Sequence, residues 1–279
     1  MNTTMTDIIG FLGAGQMGEP MVRRLLGAGH DVRIYARREE VRMRLGVAGA
    51  YLADSVADVA RQADILVVCL FSDAQLTELA AGPDGFMANA KDSAVVVSHT
   101  TGTVGTLEKI RADHPGGPVL VDAPVSGSAE DIAAGKLTVL MGGENAVLDR
   151  VVAAVGAYAD PIIRTGRFGS ALNLKLVNNL LFAANAQLAA AAVELGDRLG
   201  IGSRELLAAI ALCSGRSHAL ASIGKVGGVE TFDEFASPFL RKDVAACTAA
   251  AEDAGVDLGW LASVVAGGPI AGLVAHSQG

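Results

Sequence analysis

The stretch "IIGFLGAGQMGEPMVRRLLGAGH", residues 8–30, decides the fold. Its first five residues, 8–12, are a short, almost wholly apolar run that ends in glycines, which suits a strand buried on both faces of a parallel sheet. From Glu19 the spacing becomes helical. Met21, Leu25 and Leu26 lie on one side, Arg23 and Arg24 on the other, and Gly29 stands where a helix C-cap is expected. Between the two patterns, Gly13, Gly15 and Gly18 keep G-x-G-x-x-G spacing. Alone that pattern is weak; between a strand and a helix it has the context of a dinucleotide site. Gly13 permits the tight turn, Gly15 lets the backbone approach a pyrophosphate, and Gly18 lets helix and strand pack closely. Gln16 and Met17 complete the turn, and the helix N-terminus offers free N–H groups and a positive dipole end to the phosphates.

The next strand, "DVRIYAR", selects the cofactor. An acidic residue at its end would accept bonds from the ribose 2′-OH of NAD. Here Ala36 takes that place, followed by Arg37 and Arg38, and two guanidiniums suit a 2′-phosphate. The reading is NADP(H); the bland alternative is a pair of arginines at a solvated helix start.

Further out, strands are expected at 63–71, 93–99, 117–125 and 137–143, with helices such as 73–81 and 103–112 between them. Alternation of strand and helix to about residue 165 implies right-handed crossovers and a doubly wound, mostly parallel sheet. Beyond 170 strand signals stop, and alanine-rich helices are expected at 170–199, 203–213, about 217–226, about 238–254 and 257–266. The composition shift in "RTGRFGS" divides the chain into a Rossmann domain, 1–168, and an all-helical domain, 169–279.

The 279 residues are 51% hydrophobic, which supports a sizeable core and argues against disorder. The net charge of −8 and the lack of a basic block argue against a nucleic-acid partner. Cys69, Cys213 and Cys247 form no paired motif and read as small core residues in a reducing compartment. The N-terminal "MNTTMTD" lacks the basic region of a leader, and no run of 18 apolar residues escapes polar interruption. A cytoplasmic protein with no membrane span is expected. The five histidines, His30, His99, His114, His218 and His276, show no metal-ligand spacing.

Two further segments carry candidate chemistry. "DAPVSGSAEDIAAGKLTVLMGG" joins two strands through small residues, and Ser126, Gly127 and Ser128 could wrap a carboxylate in a nest of donors or form an ordinary turn. "SALNLKLVNNLLFAANAQL", residues 170–188, places Lys175, Asn178, Asn179 and Asn185 in a run that otherwise reads as a buried helix. Lys175 and Asn179 are i,i+4 and share a face, and Phe182 continues it. The rest, Leu174, Leu176, Val177, Leu180 and Leu181, is apolar all round and so expected to be buried. A lysine there must snorkel, pair or lower its pKa, and buried amides need partners. The cluster is either a snorkelling lysine with structural asparagines or one wall of a cleft.

Taken in order, these blocks resemble the β-hydroxyacid dehydrogenases, the family of 3-hydroxyisobutyrate dehydrogenase and tartronate semialdehyde reductase. "GFLGAGQMGEPMVRRLLGAGH" resembles the family's cofactor motif, "DAPVSG" with "GKLTVLMGG" its substrate segment, "GSALNLKLVNN" its catalytic helix and "FLRKDVAA" its cofactor-closing motif. The resemblance implies Lys175 as catalytic acid/base and Asn179 as its catalytic partner orienting the substrate. It implies Ser126 and Gly127 on the substrate carboxylate, with Ser128 beside them, and Lys242 over the nicotinamide end, supported by Asp243. Thr101 would lie near the nicotinamide ribose, and Leu70 and Phe71 beside the cofactor. Asn185 reads as structural. The implied reaction is NADP-dependent interconversion of a small 3-hydroxy acid and its semialdehyde, in a homodimer or homotetramer joined along the first long helix. Ser128 stands where the family usually has glycine. Glu130 and Asp131 are additions that would disfavour a second acidic group on the substrate if they point inward. Gly259 and Ala36 also depart from the pattern. An NADPH-dependent imine reductase on the same fold and a non-catalytic NADP-binding regulator are the competing readings; imine reductases usually place Asp or Tyr at the position of Lys175.

Overall fold

The computed structural model describes residues 7–273, so the N-terminal segment 1–6 and His276 lie outside the described residues. The chain forms two compact units, one through Lys175 and one from Leu176. In the first, β1 (Ile9–Leu12) is buried at every position and leads into α1 (Gly18–Gly27). That helix closes as its sequence implies. Gly29, at φ +85°, donates to Leu26, and His30 donates to Leu25, a left-handed glycine stop that satisfies the last carbonyls. Then follow β2 (Val32–Tyr35), α2 (Glu39–Val47), β3 (Tyr51–Leu52), α3 (Val56–Gln62), β4 (Ile65–Val68), α4 (Asp73–Ala80), α5 (Phe86–Asn89), β5 (Val95–Ser98) and α6 (Val104–Ala112). The unit continues through β6 (Val119–Asp122), β7 (Val125–Ser126), α7 (Ala129–Ala133), β8 (Leu137–Gly142), α8 (Asn145–Val155) and β9 (Ala159–Gly166).

The strands form one sheet in the order β3-β2-β1-β4-β5-β6-β8-β7, with β9 beside β8. The pairs from β3 to β6 are all parallel, so the order reverses at β1/β4, where open α/β sheets place their ligands. β8 runs antiparallel to β6 and β7. Two apolar cores cover the two faces of the sheet. One contains Phe11, Met21, Leu25 and Tyr158; the other contains Leu12, Leu66, Leu76 and Phe86.

The helix α9 (Ser170–Arg198) opens in the first unit and runs on into the second, which adds α10 (Ser203–Ile210), α11 (His218–Val226), α12 (Val229–Asp253), α13 (Gly259–Gly267) and a 3₁₀ turn, Ala271–Leu273. By length and composition α9 could cross a membrane. One face of it, however, with Leu176, Leu180, Ala183, Ala184 and Ala186, packs into a core with Leu207, Ile223, Phe232 and Val265. The buried Gln187 side chain donates to Val265 and Ile270 and accepts from the Ile270 amide, which ties the last described segment to α9.

Four expectations need correction. Of the three cysteines read as core residues, Cys247 is buried, Cys69 is half-buried and Cys213 is exposed. The strand expected over 117–125 is two, β6 and β7, because Pro124 cannot donate to a ladder. The helix expected from about residue 238 starts at Val229 and carries Pro238 inside it. And α9 is not buried all round: Leu174, Val177 and Leu181 are exposed.

Candidate active site

The glycine turn after β1 shows three different steric demands. Gly13 has φ +95°, and a Cβ there would stand 2.1 Å from the Cys69 carbonyl oxygen. A Cβ at Gly18 would stand 2.2 Å from the Gly13 carbonyl oxygen. At Gly15 it would meet nothing within 4 Å. The protein therefore does not need glycine at position 15 for its own packing; the open space is what an approaching pyrophosphate requires. Sequence physics assigned these three roles, and the geometry fits a dinucleotide.

Beside this turn lies a cleft of about 520 Å³. Gly13, Gly15, Arg37, Arg38, Leu70 and Phe71 line it together, although they come from the ends of three parallel strands. Arg38 is the N-cap of α2, and both arginines are exposed, with guanidiniums that have no partner among the described residues. Ala36 is buried, so no acid sits at this strand end. Gln16, Met17 and Gly18 form the α1 start but are not lining residues of the cleft, and Met17 packs against the core. The sequence reading missed Tyr35 and Val41, which flank the arginines, and Gln75, Glu78 and Leu79, an i,i+3,i+4 set on α4. The last three carried a signal, since helical spacing puts them on one face.

Thr101 belongs to the loop after β5, held from both sides. The Thr100 hydroxyl accepts from the Leu70 amide at 3.2 Å. Asp73 accepts from the Thr103 amide at 2.9 Å and from the hydroxyls of Thr103 and Thr106. His99 is buried and neutral. Its Nδ1 donates to the Ala123 carbonyl, so Nε2 is left to accept from the Tyr158 hydroxyl at 2.8 Å. Burial pushes the imidazole down to about 4 against this bond to Ala123.

In the strand-end loop, Ser126 closes β7 and Gly127 takes φ +138°. Ser128 caps α7 in a reciprocal box: its amide and hydroxyl both donate to the Asp131 carboxylate, at 2.7 and 2.8 Å, and its hydroxyl accepts from the Asp131 amide. Asp131 is thus turned to its own helix start, and the amide of Ser128 is already spent.

Lys175 is buried, 8% exposed, on the second turn of α9. The start of that helix is clamped by Asp122, which is fully buried at the end of β6. One Asp122 oxygen accepts from the Gly169 amide at 2.8 Å; the other accepts from Ala171 and Leu172 at 2.9 and 3.0 Å. These are the orphan donors of the helix N-terminus, each costing about 1–3 kcal/mol if buried without a partner.

In the second unit, Asn179 is buried one turn beyond Lys175. Its amide nitrogen donates to Asp243 on α12, and its oxygen accepts from Asn178 at 3.0 Å. Lys242 pairs with the other Asp243 oxygen at 2.8 Å. Each terminal atom of Asn179 keeps one further hydrogen-bonding capacity, one N–H and one lone pair. Phe182 instead packs against His218 and Phe232. Among the described residues no cluster of His, Cys, Asp or Glu could hold a metal ion.

Two family models match this chain. Residues 8–166 match the NAD-binding domain of 6-phosphogluconate dehydrogenase, and residues 169–267 match the NAD-binding domain of NADP-dependent 3-hydroxyisobutyrate dehydrogenase. Human mitochondrial 3-hydroxyisobutyrate dehydrogenase is 30% identical over 225 residues, which are 79% of this chain and 66% of that protein. The chain spans the same 66% of the length of the rat and bovine enzymes. The solved structure of Mycobacterium tuberculosis 3-hydroxyisobutyrate dehydrogenase with L-serine is 25% identical, with a TM-score of 0.81 over 93% of this chain and 91% of that one. An imine reductase from a Pseudomonas species shares the fold at 20% identity, with a TM-score of 0.62 over 93% of this chain and 99% of that one.

Proposed function

We propose, since this chain belongs to the β-hydroxyacid dehydrogenase family, that it interconverts a small 3-hydroxy acid and its semialdehyde with NADP(H). The observation that carries the reading is the buried Lys175 with Asn179 one turn beyond it. Four residues apart, the amine and the amide share one face of α9, and the amide is fixed by two bonds.

The β1–α1 turn, Arg37 and Arg38 would hold NADP(H), which when bound would supply or accept the hydride. In reduction, the Lys175 ammonium donates a proton to the carbonyl oxygen as it becomes an alkoxide. In oxidation, the neutral amine takes the hydroxyl proton. Asn179 presents its remaining N–H and lone pair to the substrate, its orientation set by Asp243 and Asn178. The Ser126 hydroxyl and Gly127 amide hold the substrate carboxylate. Ser128, with both donors on Asp131, shapes that loop. Thr101, Leu70 and Phe71 would contact the bound cofactor, and Lys242 would carry the cofactor-closing role that its motif implies.

The chain also acts as a homodimer or homotetramer. Leu174, Leu181, Leu188 and Leu195 recur every seven residues on α9, all exposed, with Val177 beside them. This apolar seam along a helix of about 44 Å is the kind of surface a second copy covers.

A coupled screen of 3-hydroxy acids, small semialdehydes, glyoxylate and cyclic imines with both coenzymes tests the proposal. Turnover of a semialdehyde with a lower KM for NADPH than for NADH is expected. Activity confined to cyclic imines would move the chain to the imine-reductase reading. Tight coenzyme binding without turnover would favour a regulator. An equal or better KM for NADH would refute the role of Arg37 and Arg38.

A further inference from the structure

We infer that Asp122 is the positioning residue for Lys175, an inference that rests on the acid/base role proposed above. Asp122 is fully buried, yet it lies at the strand end nearest the substrate loop, four residues before Ser126. Its two oxygens take three amides from the first turn of α9 and the residue before it. Two of these, Ala171 and Leu172, are the turn directly below Lys175, since residues i and i+4 stack on one face. Helical side chains lean back toward the N-terminus, so the lysine stem passes over the turn that Asp122 holds. The clamp therefore fixes the height and rotation of the lysine relative to β6, and through Ala123–Val125 relative to Ser126.

Two glycines keep this clamp in place. A Cβ on Gly142, the register partner of Asp122 on β8, would stand 2.4 Å from one carboxylate oxygen. Gly169 donates from a backbone at φ +87°, where a side chain would also run into Val104. A carboxylate can accept all three bonds; an amide cannot, because its nitrogen would face an N–H donor. Position 122 is thus specific for Asp beyond shape.

The experiment is a double-mutant cycle of Asp122→Asn and Lys175→Ala, with NADPH affinity and melting temperature measured for each variant. Asp122→Asn alone is expected to lower kcat by roughly 10–100-fold, with NADPH affinity within about twofold of wild type. On the Lys175→Ala background it is expected to lower kcat by less than about twofold, because a residue acting through the lysine has nothing left to position. A similar loss of kcat on both backgrounds would overturn the inference and mark Asp122 as merely structural. So would wild-type kcat for Asp122→Asn beside an impaired Lys175→Ala. If Lys175→Ala itself turns over normally, the acid/base reading fails and the inference with it. Should Asp122→Asn fail to fold, Gly142→Ala, which displaces the same carboxylate, replaces it in the cycle with the same expectations.

Discussion

At the scale of single residues, His99 gives a stability effect separate from the chemistry. The imidazole is buried, bonded at both nitrogens and held down to about 4 from the ordinary 6.5. In the unfolded chain it takes up a proton near pH 6.5; in the folded chain it resists until about pH 4. Its contribution is therefore fully present above pH 6.5 and is lost as the pH falls toward 4, by about 3 kcal/mol in all. His99→Gln keeps a donor for Ala123 and an acceptor for Tyr158 without titrating. Urea unfolding at pH 7.5 and 4.5 should show wild type losing about 2–3 kcal/mol more than this variant; equal losses would contradict the assignment. The residues legible in the sequence were those with a spacing: three glycines, and a lysine and asparagine four apart. Asp122 and Asp73 had none. Each is a single acid whose partners arrive 30–50 residues later, so only the folded chain shows what they hold.

At the scale of elements, the β1–α1 turn separates packing from binding. Gly18→Ala would press a methyl onto the Gly13 carbonyl and should destabilise the protein by about 1–3 kcal/mol. Gly15→Ala has free space around it, so its melting temperature should stay near wild type while NADPH affinity falls at least tenfold. Calorimetry and fluorescence titration read the two effects, and a Gly15→Ala variant with intact affinity would contradict the close approach of the pyrophosphate. The strand–turn–helix order was readable because periodicities of 2 and 3.6 differ. Strand direction was not, since a strand's side chains point to alternate faces whichever way it runs, and only the pairing shows that β8 runs antiparallel to β6 and β7. The true start of α12 was hidden by Pro238, which suggests a first turn. In the folded helix it forfeits only the bond to Glu234, and burial of Phe232 and Leu240 on either side outweighs that loss.

At the scale of the whole molecule, the apolar seam on α9 and the buried lysine are two features of one helix. Apolar content in the sequence could not tell an exposed face of α9 from a core face; the exposure of Leu174, Leu181, Leu188 and Leu195 separates the two, and the proposed second copy would cover the exposed one. The double variant Leu181→Glu/Leu188→Glu should shift sedimentation from an oligomer to the monomer, whereas an unchanged sedimentation coefficient would place the interface elsewhere. The central claim is that the chain is a dehydrogenase whose proton is handled by Lys175. Steady-state turnover of Lys175→Ala on the semialdehyde accepted by wild type, with NADPH affinity measured on the same sample, tests it most directly. The account predicts kcat lower by about two to four orders of magnitude with coenzyme affinity unchanged. Turnover within a few-fold of wild type would contradict it.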